Sequence, residues 1–182
     1  MKTRITLLVI LLCSLSTLQA QGRYVTKSGE IQFEASVPSF EEVKAKNSGV
    51  SAILKSETGE FAALALVKGF RFKVALMEEH FNENYIESSK YPKSTFKGKI
   101  KGFDISGLSA SKKEYLFVGT INLHGEAKEI EVPAMISLVD DCVTVSLEFV
   151  LKPEEFNIKI PKIVSSKIAE DINVVAVFSL KK

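Results

Sequence analysis

The run Ile130-Glu131-Val132-Pro133-Ala134-Met135-Ile136-Ser137-Leu138 is followed by Val139-Asp140-Asp141-Cys142. Val143-Thr144-Val145-Ser146-Leu147-Glu148-Phe149-Val150-Leu151 comes next. On each side of the Asp-Asp pair one set of alternate residues is continuously apolar: Ile130, Val132, Ala134, Ile136, Leu138, then Val143, Val145, Leu147, Phe149, Leu151. A period of two is the signature of a strand with one face buried. The Asp-Asp pair between two such runs supplies turn chemistry. Two adjacent antiparallel strands are therefore predicted.

Working outward, the same alternation recurs through much of the chain. It is read at Ile31, Phe33, Ala35, Val37; at Phe96, Gly98, Ile100, Gly102; at Phe117, Gly119, Ile121, Leu123; and at Ile172, Val174, Ala176, Phe178, Leu180. Phe61 to Val67 is apolar on both faces, which predicts a covered or central strand. Turns are expected at Asn47-Ser48-Gly49, Thr58-Gly59 and His124-Gly125, with one or two short strands within Glu41 to Leu54. Strands this numerous are best relieved of exposed edges by closing into an antiparallel barrel. The exception to period two is Met77 to Ser88, where Met77, Phe81 and Tyr85 share one helical face and Glu79 and Glu83 point away. Tyr91-Pro92 stops any helix there, and a second short helical turn is expected within Pro161 to Glu170. The expected fold is mainly β, a closed antiparallel barrel with one amphipathic helix, about 77–88, near a mouth.

Three blocks in this order are diagnostic together. They are His80-Phe81-Asn82-Glu83; Tyr91-Pro92-Lys93-Ser94-Thr95-Phe96-Lys97-Gly98; and Gly119-Thr120-Ile121-Asn122-Leu123-His124-Gly125-Glu126-Ala127-Lys128. With Phe156-Asn157-Ile158 and the closing apolar strand, they make the chain resemble the YceI-like family from about Gly22 to its end. The resemblance implies a lipocalin-like barrel domain over 21–182, exported to the periplasm, holding an isoprenoid or another long apolar chain. Two departures concern the ligand rather than the barrel. Lys27-Ser28-Gly29 stands where many members carry a His-Ser pair, and Met77-Glu78-Glu79-His80 stands where many carry Arg-Asp before the histidine.

The residues alone leave open whether the barrel is hollow. Gly98, Gly102 and Gly119 beside Ala35, Ala134 and Ala176 free inward volume, and about eight strands enclose just enough space for a small ligand. The alternative is that the glycines relieve curvature while phenylalanines fill the middle. The resemblance favours a cavity. Its expected apolar lining is Phe33, Ala35, Met77, Phe81, Tyr85, Phe96 and Ile100 from the first half of the chain. The second half is expected to add Phe117, Ile121, Leu147, Phe149, Val174 and Phe178. His80 and Asn84, with Glu87 on the same flank, are placed at a polar mouth.

Charge and chemistry narrow the function. Lys and Arg number 24 and Asp and Glu 22, and the whole excess lies in Lys2 and Arg4, so residues 21–182 balance. That disfavours a nucleic-acid binder, which needs a basic surface. Met1 to Arg4 is basic, Ile5 to Leu18 largely apolar, and Gln19-Ala20 a plausible cleavage point, which together read as a secretory signal over 1–20. Cleavage would remove Cys13 and leave Cys142 without an internal disulfide partner. No nucleophile triad, nucleotide loop or paired-cysteine zinc motif is present, and neither cofactor nor metal is expected. Three classes follow in order: a lipid carrier with transient membrane contact, a filled barrel acting as an interaction module or homodimer, and a lipid-modifying enzyme using His80. His124 is expected to serve its turn, Glu79–Glu83–Glu87 to be a solvated helix face, and Lys97, Lys99 and Lys101 to be outward lysines that discourage edge pairing.

Overall fold

A computed structural model describes residues 22–182. The signal segment, its cleavage point at Ala20 and Cys13 lie outside the described residues. Nine strands form: β1 (Arg23–Ser36), β2 (Lys44–Lys55), β3 (Glu60–Leu66), β4 (Arg71–Phe72), β5 (Lys93–Ile100), β6 (Lys113–Leu123), β7 (Glu126–Val139), β8 (Cys142–Leu151) and β9 (Ile168–Lys181). The order is β1-β9-β8-β7-β6-β5-β3-β2, with β1 also pairing β2, so eight long strands close on themselves. All pairings are antiparallel, and the two-residue β4 is appended to β2. Closure leaves no long edge exposed, which is the physical reason a chain of repeated half-buried strands adopts it.

The opening stretch forms the expected hairpin: Val139 pairs with Cys142, and Asp140 and Asp141 both take positive φ, 46° and 58°. Leu123 pairs with Glu126 around His124 and Gly125, at φ 53° and 81°. Both are two-residue turns whose left-handed residues match the twist of the flanking strands. Asn47-Ser48-Gly49 departs from expectation, because it lies inside the continuous strand β2. There the register against β1 slips between Gly29 and Ile31, making a bulge. Asn47 Oδ1 accepts from the Gly49 N–H at 2.9 Å, the same local bond that would close a turn.

Strand directions put the connections 37–43, 67–92 and 152–167, with the His124–Gly125 turn, at one end of the barrel, here called the upper end. The connections 56–59 and 101–112, the Asp140–Asp141 turn and both ends of the described chain lie at the other. The lower half is solid. Leu54, Ile100, Phe117, Ile136, Val143, Val145 and Leu180 are all fully buried within its core cluster. Gly98 and Gly119 face each other across β5 and β6, and a Cβ on either would collide with the opposite backbone. They bring two strands together rather than freeing interior volume, and Gly102 sits in a turn at φ 63°. The β3 segment is central rather than covered: it pairs with β2 on one side and β5 on the other, and Leu66 at its end is exposed. The lysines Lys97 and Lys99 do point outward, but β5 is paired on both sides and has no edge to protect.

Candidate functional site

The helix read from Met77, Phe81 and Tyr85 begins earlier and ends earlier than expected. Helix α1 spans Ala75–His80 and continues as a wider π turn over Phe81–Tyr85. Its start is fixed by Glu78, whose carboxylate accepts from Arg71 Nη1 at 2.7 Å and from the Phe72 N–H at 3.1 Å. The helix is thereby tied to β4 across the barrel end. Below it, Phe81 packs against Phe72, Phe33 and Phe70 at ring separations of 5.2, 5.4 and 6.0 Å. A second short helix, α2 (Lys162–Ser165), lies in the β8–β9 connection.

Between these connections and the upper barrel wall lies a cavity of about 460 Å³, and a smaller inner void of about 70 Å³ lies next to it, with Ile31, Ala65, Ser94, Ile121 and Phe149 lining both. Of the residues expected to line a cavity, Phe33, Ala35, Met77, Phe81, Tyr85, Ile121, Phe149 and Val174 do so, and His80 stands at the rim. Phe96, Phe117, Leu147 and Phe178 border only the inner void. Two assignments are corrected. Ile100 is fully buried in the solid lower half, because it is the last residue of β5 at that end. Asn84 is exposed on the outer side of the π turn and borders neither space, since the turn aims Phe81 and Tyr85 inward instead.

Much of the lining comes from segments that carry no period-two signal. Phe40 and Val43 enter from the β1–β2 connection, Val67 and Phe70 from the β3–β4 connection, and Phe156, Ile158, Ile160 and Val164 from the β8–β9 connection. Phe70-Arg71-Phe72 was the available signal, two aromatics at alternate positions within an otherwise unassigned stretch. The charged groups of the lining are Glu41, Lys152 and Lys167, all in the upper connections. Lys152 lies 3.7 Å from Asp171, and the Lys167 ammonium 6.0 Å over the Phe40 ring. The site is thus an apolar chamber with its charged groups at the mouth. Such a chamber can hold an apolar body and leave a polar end in water.

The buried histidine lies elsewhere. His124 Nδ1 is 2.9 Å from the Phe156 carbonyl oxygen, and Nε2 is 3.0 Å from Glu87 Oε2. The Tyr91 ring meets it edge-on at 4.3 Å. One imidazole thus joins the β6–β7 turn to the segment after the π turn and to the β8–β9 connection, behind the cavity wall. Glu87 therefore serves this bridge and not the mouth, while Glu79 and Glu83 are exposed. Among the described residues no cluster of His, Cys, Asp or Glu could hold a metal ion. Cys142 is a free, half-buried thiol.

A closed eight-stranded barrel with an upper chamber agrees with the family comparison, in which the YceI-like domain matches residues 15–180. The chain belongs to the YceI-like domain family. No curated protein matches it by sequence. Among solved structures, a polyisoprenoid binding domain from Saccharophagus degradans implicated in plant cell wall breakdown is similar over 87% of this chain and 97% of its own, at 13% identity and a TM-score of 0.74. BcnA of Burkholderia cenocepacia covers 85% of this chain and 96% of its own, at 15% identity and a TM-score of 0.69. The Campylobacter jejuni YceI protein covers 80% and 89%, at 18% identity and a TM-score of 0.63. These YceI-like structures share the fold with this chain.

Proposed function

We propose that the protein is an exported binder that holds a long apolar ligand, an isoprenoid or acyl chain, inside the upper chamber. The observation that carries this reading is a cavity of about 460 Å³ lined almost wholly by apolar side chains, with its charged groups at the mouth. Each methylene taken from water into such a space gains ~0.8 kcal/mol, so a chain of ordinary lipid length has ample driving force. A chain drawn from a bilayer exchanges one apolar medium for another and most of that gain cancels. Selectivity then falls to chamber length and shape and to the mouth, and loading takes place in transient contact with a membrane. The polyisoprenoid-binding relative and the signal-like residues 1–20 support export and an isoprenoid-type ligand.

An enzyme acting on the ligand would need His80 and a carboxylate converging inside the mouth. His80 is exposed on α1, and the histidine–carboxylate pair, His124 with Glu87, is outside the chamber, so binding is favoured over catalysis. A filled-barrel interaction module is disfavoured by the open volume itself. The test is native mass spectrometry of protein purified from its own host, followed by organic extraction and lipid identification. A stoichiometric adduct of an isoprenoid or acyl species is the expected result. Bare mass, together with no uptake of palmitate or geranylgeraniol offered afterwards, would refute the reading.

A further inference from the structure

Resting on that binding reading, we propose that the barrel is a length gauge: it admits one chain of about 18 carbons and gives no added burial to longer polyisoprenoids. The inference comes from volume and from what stops the chamber below. An apolar cavity of about 150 Å³ takes up benzene, or roughly 25 Å³ per carbon. On that scale the chamber of about 460 Å³ holds ~18 carbons. Even if a chain displaced the shared lining and entered the inner void of about 70 Å³, it would gain room for only roughly three more carbons. Three to four isoprene units, or one palmitoyl-to-stearoyl chain, fill the space. A second acyl chain has no room beside the first.

The floor is aromatic. Phe61 is its hub, with ring separations of 5.1 Å to Phe117, 5.4 Å to Phe178 and 6.2 Å to Phe96. Phe61, Phe117 and Phe178 are 3%, 0% and 2% exposed. Phe178 is seated directly on Gly29, where a Cβ would collide with its ring, so the ring cannot be pushed towards β1. Beyond this floor lies the solid lower core. Phe61, Phe117 and Phe178 close together from β3, β6 and β9, with Phe96 of β5 against Phe61 and Phe117, and the buried core beneath them occupies the path that a longer chain would need.

The test is isothermal titration of the full mature chain, stripped of resident lipid, with two homologous series. One is laurate, palmitate, stearate and behenate; the other is farnesol, geranylgeraniol and solanesol. Affinity is expected to rise by roughly fourfold per methylene until the chamber fills, then to stay flat. Geranylgeraniol and solanesol should differ by less than about threefold, against a gain of tens of thousands-fold or more if solanesol were wholly buried. Phe96→Ala and, more conservatively, Phe178→Leu open the floor and should move the break to longer chains. Solanesol binding the unaltered protein more than about a hundredfold tighter than geranylgeraniol overturns the gauge and leaves the binding reading intact. So does a break that stays put in both folded variants. If no member of either series binds, the binding reading itself fails, and the gauge with it.

Discussion

Replacing Ala35 by phenylalanine should separate binding from folding, because binding should fall steeply while stability holds. Ala35 is 3% exposed on β1 and faces the chamber near its mouth. Its backbone N–H is held by the Val43 carbonyl at 2.8 Å, so the strand position does not depend on the side chain. A phenyl ring occupies the volume of benzene, about 150 Å³, which is roughly a third of the chamber of about 460 Å³. Room exists for it. The added ring gains ~2 kcal/mol by burial and loses ~1 kcal/mol or more to imperfect fit, so stability in urea should stay within about 1 kcal/mol of the unaltered protein. The ligand loses about six carbon positions, which at ~0.8 kcal/mol each costs about 5 kcal/mol, or more than a thousandfold in affinity from water. Stearate and palmitate should be hit and laurate largely spared, since ~12 carbons still fit. Titration calorimetry with these three acids, beside a urea melt of each protein, reads both quantities. Loss of more than about 3 kcal/mol of stability would show that the space is not there. Unchanged palmitate affinity in a folded variant would show that the ligand is not there.

The solid and hollow halves should answer truncation differently. Phe117→Ala, at 0% exposure, is expected to cost about 3–5 kcal/mol, whereas Met77→Ala, half-buried against open volume, should cost about 1 kcal/mol; equal losses in urea melts would refute the division. His124→Asn keeps the left-handed turn that asparagine tolerates but removes the ring bridging Glu87 and Phe156, and should cost roughly 1–3 kcal/mol by urea melt. Asp104 caps the short turn Ile105–Gly107, and hydrogen bonds from the Ser106 hydroxyl and N–H hold its carboxyl below the ordinary value. A carboxyl lowered on folding stabilises above its unfolded value and loses that contribution as pH falls through the folded one. Asp104→Asn should therefore lower Tm at neutral pH, with the gap closing in acid; a gap independent of pH would count against the cap.

The barrel was legible because an antiparallel wall has one wet face and writes a period of two into most of its long strands. Ile130 to Leu138 and Val143 to Leu151 carry that pattern on either side of one turn, and the structure pairs them as a hairpin. The middle of β2 was not legible as strand, since Asn47 bonds the Gly49 N–H identically in a turn and in a bulge. Only the pairing with Ile31 on β1 tells them apart, and that contact is remote in sequence. Gly98 and Gly119 misled for a related reason. A small residue leaves space or permits close approach, and the choice is made by the strand opposite.

Hollow or filled is the same kind of question at larger scale. Phe117 and Phe149 both sit at inward positions of regular strands, yet Phe117 is packed in the floor and Phe149 lines open volume. What differs is height along the barrel. Phe61 meets Phe96, Phe117 and Phe178 from β5, β6 and β9, although register sets Phe96 beside Ala63 and Ile121 and Phe117 beside Ile100, so the cluster is made by rings reaching across the interior. The upper end escapes filling because its connections carry apolar residues that roof the space rather than enter it, as Phe81 does from the π turn and Phe156 from the β8–β9 connection. The sequence does hold a trace of this asymmetry. Each barrel end has one tight two-residue turn, but the upper end receives 67–92 and 152–167, both longer than the lower end's 56–59 and 101–112 and rich in aromatic or branched residues. Connections of that length and apolarity need something to pack against, and here Phe70, Phe81 and Phe156 find it over the upper chamber.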